Sequence, residues 1–253
     1  MGTEMFSLDG KVAIVTGASR GIGRAIALGF AEAGADLALG ARSESDLETL
    51  AKEIDGLGRR AIAIQTDVTQ RDQIQNLVDR TVAELGGVDI LVNNAGGSRF
   101  MAPIVQVRPD GWDKMLALNL DSVFHATQIG AQAMIAGNRK GSIIQIASVA
   151  GLEGAPGLSF YSAAKGGVRL MSQAAAKELG ESGIRVNCIA PGWIATDLNA
   201  WMDDQMREWA ASTSALKRIG DPEEVVGAAM FLASDASSFV TGTTIVVDGG
   251  QTS

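Results

Sequence analysis

The 253-residue chain has one cysteine, one histidine, one tyrosine and five prolines. Each scarcity removes a chemistry. Cys188 alone cannot form a disulfide within the chain, and with His125 as the only other soft ligand there is no Cys/His zinc cluster and no expected metal site. A Ser-His-Asp triad has only His125 to be built around. No apolar run is long enough to cross a bilayer, and the start, MGTEMFSLDGK, has neither the basic nor the apolar region of a signal peptide. It opens on Met-Gly, but Phe6 stands where a myristoylation pattern needs Ser or Thr. Positive charge is also short: 21 Lys and Arg face 29 Asp and Glu, a net of -8, with no basic block to meet a phosphate backbone. Nucleic acid and membrane are therefore poor partners, and a cytoplasmic protein is expected.

What is present is a repeated strand-then-helix pattern. Short aliphatic and β-branched runs at 12–16, 37–41, 61–65, 90–93, 143–147, 186–189 and 244–247 read as buried parallel strands. Amphipathic stretches of crossover length lie between them, such as 22–33 and 70–85, the latter with Thr69 as its N-cap. No linker, repeat or low-complexity tract interrupts the pattern. It predicts one α/β domain over 1–253, a doubly wound parallel sheet of about seven strands with helices on both faces. In such sheets ligands bind beyond the carboxyl ends of the strands, so the residues after each strand are the ones to read.

The first strand runs into Gly17, Ser19, Arg20, Gly21, Ile22 and Gly23, and a helix follows. Glycines there allow a tight turn and close approach of a pyrophosphate, which sits on the free N–H groups of the helix start. A carboxylate ending the second strand would accept from a ribose 2'-hydroxyl and mark NAD(H). Ala41 takes that position and Arg42 follows it, so NADP(H) is preferred and NAD(H) stays possible, with Arg20 as a second positive charge for a 2'-phosphate. Tyr161 and Lys165 are four apart, one turn of a helix, so they share a face. A nearby ammonium favours phenolate and lowers a tyrosine pKa toward the working range. Ser148, just after the fifth strand, adds a hydroxyl that can donate to a substrate oxygen.

These segments, with Asn93-Asn94-Ala95-Gly96 after the fourth strand, Asn119 in the next helix and Pro191-Gly192 after the sixth, resemble the classical short-chain dehydrogenases/reductases over nearly the whole chain. The resemblance implies a single Rossmann-type domain: a dinucleotide half at about 8–100, a catalytic and substrate half at about 101–253, and a lid at about 193–214. It implies Tyr161 as general acid/base, Ser148 holding the substrate oxygen, Lys165 binding the nicotinamide ribose and lowering the Tyr161 pKa, and Asn119 ordering a relay water. Asn93, Ala95, Gly96, Pro191 and Gly192 belong to the cofactor site, with Asp67 and Val68 meeting the adenine and Ile194 and Thr196 the carboxamide. The family is usually tetrameric, and the small residues at 163–176 permit close helix contact. The branch it is most similar to contains the 3-oxoacyl-carrier-protein reductases, whose docking relies on basic surface residues. Arg139 and Lys140 are one such patch, but Ser182 stands where a second Arg is expected, and an acidic protein repels an acidic carrier. Enoyl reductases place the lysine farther from the tyrosine, and the extended members need a longer C-terminal domain.

On the substrate side, Trp193, Trp201, Met202, Met206 and Trp209 fall in the expected lid, three of them at helical spacing. A stripe packed on the body or on another subunit fits them equally well. Ser98, Leu152, Leu158 and Phe160 add wall, and Arg99 either meets an anionic group or is solvated. An uncharged, moderately bulky ketone or secondary alcohol suits these residues. His125 reads as a packing histidine with its hydrogen bonds satisfied, and Cys188 as a small buried hydrophobe. The leading reading is an NADPH-dependent carbonyl reductase. Its rivals are an NAD-dependent sugar or polyol dehydrogenase and a cofactor-sensing binding protein without turnover.

Overall fold

A computed structural model describes residues 3–98, 100–200 and 202–253. Its elements are β1 (Val12–Thr16), α1 (Gly21–Glu32), β2 (Asp36–Ala41), α2 (Glu44–Gly56), β3 (Ala61–Gln65), α3 (Arg71–Leu85) and β4 (Ile90–Asn93). There follow α4 (Pro109–Leu116), a π-helical turn at Ala117–Asp121, α5 (Ser122–Ala136), β5 (Ser142–Ile146) and α6 (Ser159–Leu179). The chain closes with β6 (Arg185–Pro191), α7 (Asp204–Thr213), α8 (Glu223–Ala233) and β7 (Thr244–Val247). All pairings are parallel, in the order β3-β2-β1-β4-β5-β6-β7. No described helix is long and apolar enough to cross a membrane.

Side chains alternate across a strand, so each strand feeds two cores. Ala13, Val15, Leu37, Leu39, Ile90 and Val92 pack with Phe30 of α1, Leu47 of α2 and Val225 of α8. Their neighbours Ile14, Ala38, Leu91 and Ile143 pack on the other face with Leu77 of α3, Ile129 of α5 and Ala176 of α6. This two-sided burial is why the strands read as continuous apolar runs.

The strand ends differ from the sequence reading where polar residues begin a strand. Asp36 opens β2 because its carboxylate takes the Arg60 guanidinium (Nε at 2.8 Å), and Ser142 opens β5 with its hydroxyl on Leu232 O at 2.7 Å. β6 starts at Arg185, held by Ser237 Oγ at 2.7 Å, and continues to Pro191. Thr69 does not cap α3: Asp67 accepts from both its N–H (2.9 Å) and its hydroxyl (2.8 Å), a local turn that competes with capping. Gln70 takes the N-cap position instead.

Candidate active site

A cleft of about 1540 Å³ opens at the carboxyl edge of the sheet, over the β1/β4 junction where the strand order reverses. Gly17, Ser19, Arg20, Gly21 and Ile22 line it. Gly17 has φ +65°, and a Cβ there would stand 2.8 Å from Asn94 Nδ2 and 2.9 Å from Ala95 Cα, so only glycine lets the two loops meet. The meeting is stitched on both sides. Thr16 Oγ1 accepts from Asn94 N (3.0 Å) and Ala95 N (3.1 Å), while Asn94 Nδ2 donates to Thr16 O (2.9 Å) and Gly17 O (3.1 Å). Helix α1 begins here without a side-chain cap, which leaves its first N–H groups for a ligand. The cradle fits a dinucleotide pyrophosphate. Gly23 does not line the cleft: its Cβ would run into Asn94 Nδ2 and Gly17 O, so its role is packing.

Past the end of β2, Arg42 lines the cleft, exposed and in no ion pair among the described residues. Arg20 differs from the expectation of a second free cation, because Asp197 accepts from its Nη1 at 3.3 Å. Asp67 and Val68 line the same end, the Asp67 N–H fixed by Gln73 Oε1 at 2.8 Å. Ala95, Gly96, Pro191, Gly192, Ile194 and Thr196 continue the lining. Asn93 does not. It is buried, and its Nδ2 donates to Gln145 Oε1 (2.8 Å) and Thr127 Oγ1 (3.2 Å) beneath the cleft floor, since a residue one position earlier on β4 points into the layer below.

Ser148, Tyr161 and Lys165 converge at the other end, and Asn119 does not line the cleft but lies behind it, next to Gly96. Ser148 is extended and accepts from Ala150 N at 3.1 Å, with its hydroxyl near enough to Tyr161 to favour the phenolate. Tyr161 is in the first turn of α6 and Lys165 in the next, so both face the cleft. Lys165 is only 2% exposed; its ammonium donates to Ile146 O at 2.7 Å and stands 5.7 Å from the centre of the Tyr161 ring. Burial pushes the Tyr161 phenol up to about 12 against the opposing hydrogen bond of Ser148. Burial likewise brings Lys165 down to about 8, against the nearby Cys188. The expected lowering of the phenol by the ammonium is thus absent from the protein alone, because the ammonium faces a carbonyl and desolvation dominates. Asn119 is fully buried in the π turn: Gly97 N donates to its Oδ1 (2.7 Å), and its Nδ2 donates to Gly97 O (3.2 Å) and Met115 O (3.1 Å). A π turn inside a helix is a frequent mark of a functional site.

Of the expected substrate residues, Ser98, Leu158 and Trp193 line the cleft, whereas Leu152, Met202 and Met206 do not. Met202 is 5% exposed and precedes α7, whose N-cap Asp203 accepts from Met206 N at 2.8 Å; Met202 packs on the body. Phe160 is fully buried rather than wall, and stacks on Phe100, which is the one that lines the cleft (centroids 4.7 Å apart). Trp209 meets Trp193 edge-on at 5.8 Å. Arg99 and Trp201 lie outside the described residues. Arg139 is not a free basic patch, being held by Asp89 (2.8 Å) and Gly86 O (2.7 Å). His125 also departs from expectation, with a buried Nδ1 that has no hydrogen-bond partner among the described residues. Met101, Arg108, Lys114, Gln251 and Thr252 line the cleft without having been singled out. The first follows Ser98 closely enough to have been found; the others carry no pattern.

Residues 17–252 match the family model described as enoyl-(acyl carrier protein) reductase. The chain is 44% identical over 243 residues to the 3-oxoacyl-(acyl-carrier-protein) reductase of Thermotoga maritima, covering 96% of this chain and 98% of that one. A solved gluconate 5-dehydrogenase from Burkholderia cenocepacia, in complex with NADP and tartrate, superposes with a TM-score of 0.93 at 40% identity over 98% of each chain. A 7α-hydroxysteroid dehydrogenase complexed with NADH and 7-oxo glycochenodeoxycholic acid gives 0.94 at 35%, over 99% of this chain and 97% of that one. A likeness that runs unbroken from the glycine loop to the last strand leaves no segment foreign to the pattern, and the chain belongs to the short-chain dehydrogenase/reductase family, oxidoreductases that work between CH–OH and C=O with a nicotinamide cofactor.

Proposed function

We propose that this chain is an NADPH-dependent oxidoreductase of ketones and secondary alcohols, with a 3-oxoacyl thioester or a ketone of similar shape as substrate. The observation that carries the reading is the meeting, in one cleft, of Ser148, Tyr161 and Lys165 with Arg42, which has no ion-pair partner among the described residues. The bound nicotinamide supplies or accepts the hydride. The chain's own residues do the rest. Gly17 to Ile22 hold the pyrophosphate, Arg42 the 2'-phosphate, Asp67 and Val68 the adenine, Lys165 the nicotinamide ribose, and Ile194 with Thr196 the carboxamide. Ser148 and Tyr161 receive the substrate oxygen. During reduction the Tyr161 hydroxyl gives its proton to that oxygen as negative charge develops there, and the Ser148 hydrogen bond and the Lys165 ammonium stabilise the phenolate left behind. Asn119 orders the water that returns the proton.

Phe100, Leu158, Trp193 and Trp209 support an apolar substrate body. A carrier protein is not favoured, given a net charge of -8 and the engagement of Arg139 with Asp89. A second reading, oxidation of a hydroxylated acid, is favoured by Arg108 and Lys114, which line the cleft and share Asp110 (3.2 and 3.4 Å). Exposed Phe124 on α5 and Leu170 on α6 support assembly of a homotetramer through those helices, which light scattering checks.

Initial rates with NADPH and NADH against acetoacetyl thioesters, neutral ketones and keto-sugar acids test the reading. Preference for NADPH with the thioester or neutral ketone supports it. Preference for NADH with sugar acids favours the second reading, and tight NADPH binding with no turnover on any carbonyl overturns both in favour of a binding protein.

A further inference from the structure

Arg20 and Asp197 both line the cleft, one from the glycine loop and the other from the turn Asp197–Asn199 that follows β6. Their ion pair, 3.3 Å long, is open to solvent, with side chains 54% and 68% exposed. The contact is not isolated. In the adjacent position a Cβ on Gly21 would stand 3.1 Å from Thr196 Cγ2, so the Thr196–Asp197 segment lies directly against the loop and delivers the carboxylate to Arg20. Arg20 and Arg42 are two of the three guanidinium groups that line this cleft, with Arg108; Asp197 engages Arg20, whereas Arg42 has no ion-pair partner among the described residues.

We propose that Asp197 is a positioning residue for cofactor choice: its carboxylate competes with an incoming phosphate monoester for Arg20, and so lowers the preference of the cleft for a nucleotide that carries one. The inference rests on the NADPH reading above. A 2'-phosphate carries close to two negative charges and pairs well with a planar guanidinium, but it gains Arg20 only by displacing Asp197. Exposed ion pairs are weak, so the displacement occurs and its effect is a modest factor rather than a block. A nucleotide without the 2'-phosphate lacks the group that competes with Asp197 for Arg20, so the carboxylate weighs less on its binding. Asp197 thus acts on the selectivity between the two ligands more than on binding in general.

Titration calorimetry of the intact protein with 2',5'-ADP and with 5'-AMP, which differ only in the 2'-phosphate, reads this without turnover. In Asp197→Asn the ratio of the two affinities should rise by about two- to fivefold, in keeping with an exposed pair, while 5'-AMP binding changes less. Asp197→Glu, which keeps the charge, should keep the wild-type ratio. Arg20→Gln should lower the ratio more in the Asp197→Asn background than in wild type, because only there is Arg20 free. An unchanged ratio in Asp197→Asn, or an equal change for both ligands, overturns the proposal. A wild-type protein that shows no preference for 2',5'-ADP, with Arg42→Ala also without effect, removes the NADPH reading itself and the proposal with it.

Discussion

The Lys165 ammonium is hydrogen-bonded to the main-chain carbonyl of Ile146 at 2.7 Å, which ties the second turn of α6 to the end of β5. That bond decides where the positive charge sits: beside the Tyr161 ring, 5.7 Å from its centre and in cation–π range. The two residues titrate in opposite directions for one reason, the loss of water around each.

Reduction should lose rate as pH rises through about 8, where Lys165 gives up its proton. Both protonated forms promote reduction, the phenol as donor and the ammonium as counter-charge, and both are present below that pH. With Tyr161 pushed up to about 12, no descending step belongs near the ordinary phenol value. The pH dependence of kcat/KM checks this. Lys165→Arg keeps its charge throughout and should flatten the step at 8, whereas a single descending limb near pH 10 contradicts the assignment.

Tyr161→Phe should lower kcat by about 10²- to 10⁴-fold, the usual weight of a positioned acid/base, and leave cofactor affinity within about twofold. Tyr161 is the only tyrosine in the chain, so its ionisation can be followed by ultraviolet difference absorbance without assignment. Near-normal turnover in the variant rules out the proposed proton transfer.

Arg42→Ala should raise KM for NADPH by about tenfold, as expected for loss of a charged hydrogen bond, and leave KM for NADH almost unchanged. Equal effects on both would make Arg42 a general surface cation.

Phe160→Ala should destabilise the protein by about 3–5 kcal/mol in urea denaturation, because a fully buried ring is replaced by a cavity. It also removes the ring on which Phe100 stacks, so KM for substrate should rise while cofactor affinity holds.

The sheet was legible because its strands are buried on both faces and announce themselves as apolar runs; its errors lie at Asp36, Ser142 and Arg185, polar residues whose partners come from elsewhere in the fold. The cleft was legible wherever chemistry demands one residue type, as at Gly17, Ser148, Tyr161 and Lys165. It was not legible where the question was which way a side chain points. Asn93 and Asn94 are neighbours, yet one braces the floor and the other the glycine loop. Phe100 and Phe160 are both apolar, and only their stacking decides which is wall. Met202 sits at helical spacing from Met206, but the helix begins at Asp204, so the stripe does not form. Arg20 looked like a free cation until Asp197, 177 positions away, was brought beside it.

The π turn at Ala117–Asp121 sets a phase as well as a place for Asn119. Each residue of an α-helix advances its face by about 100°, so a chain one residue shorter here would run from α4 into α5 as a regular helix with α4 swung by that angle. Lys114 and Met115 would leave the cleft, and the amide that clamps Gly97 would point elsewhere. Such a deletion should be tolerated or even stabilising for the helix and ruinous for turnover. Length in this short segment is therefore under tighter constraint than its residue identities suggest.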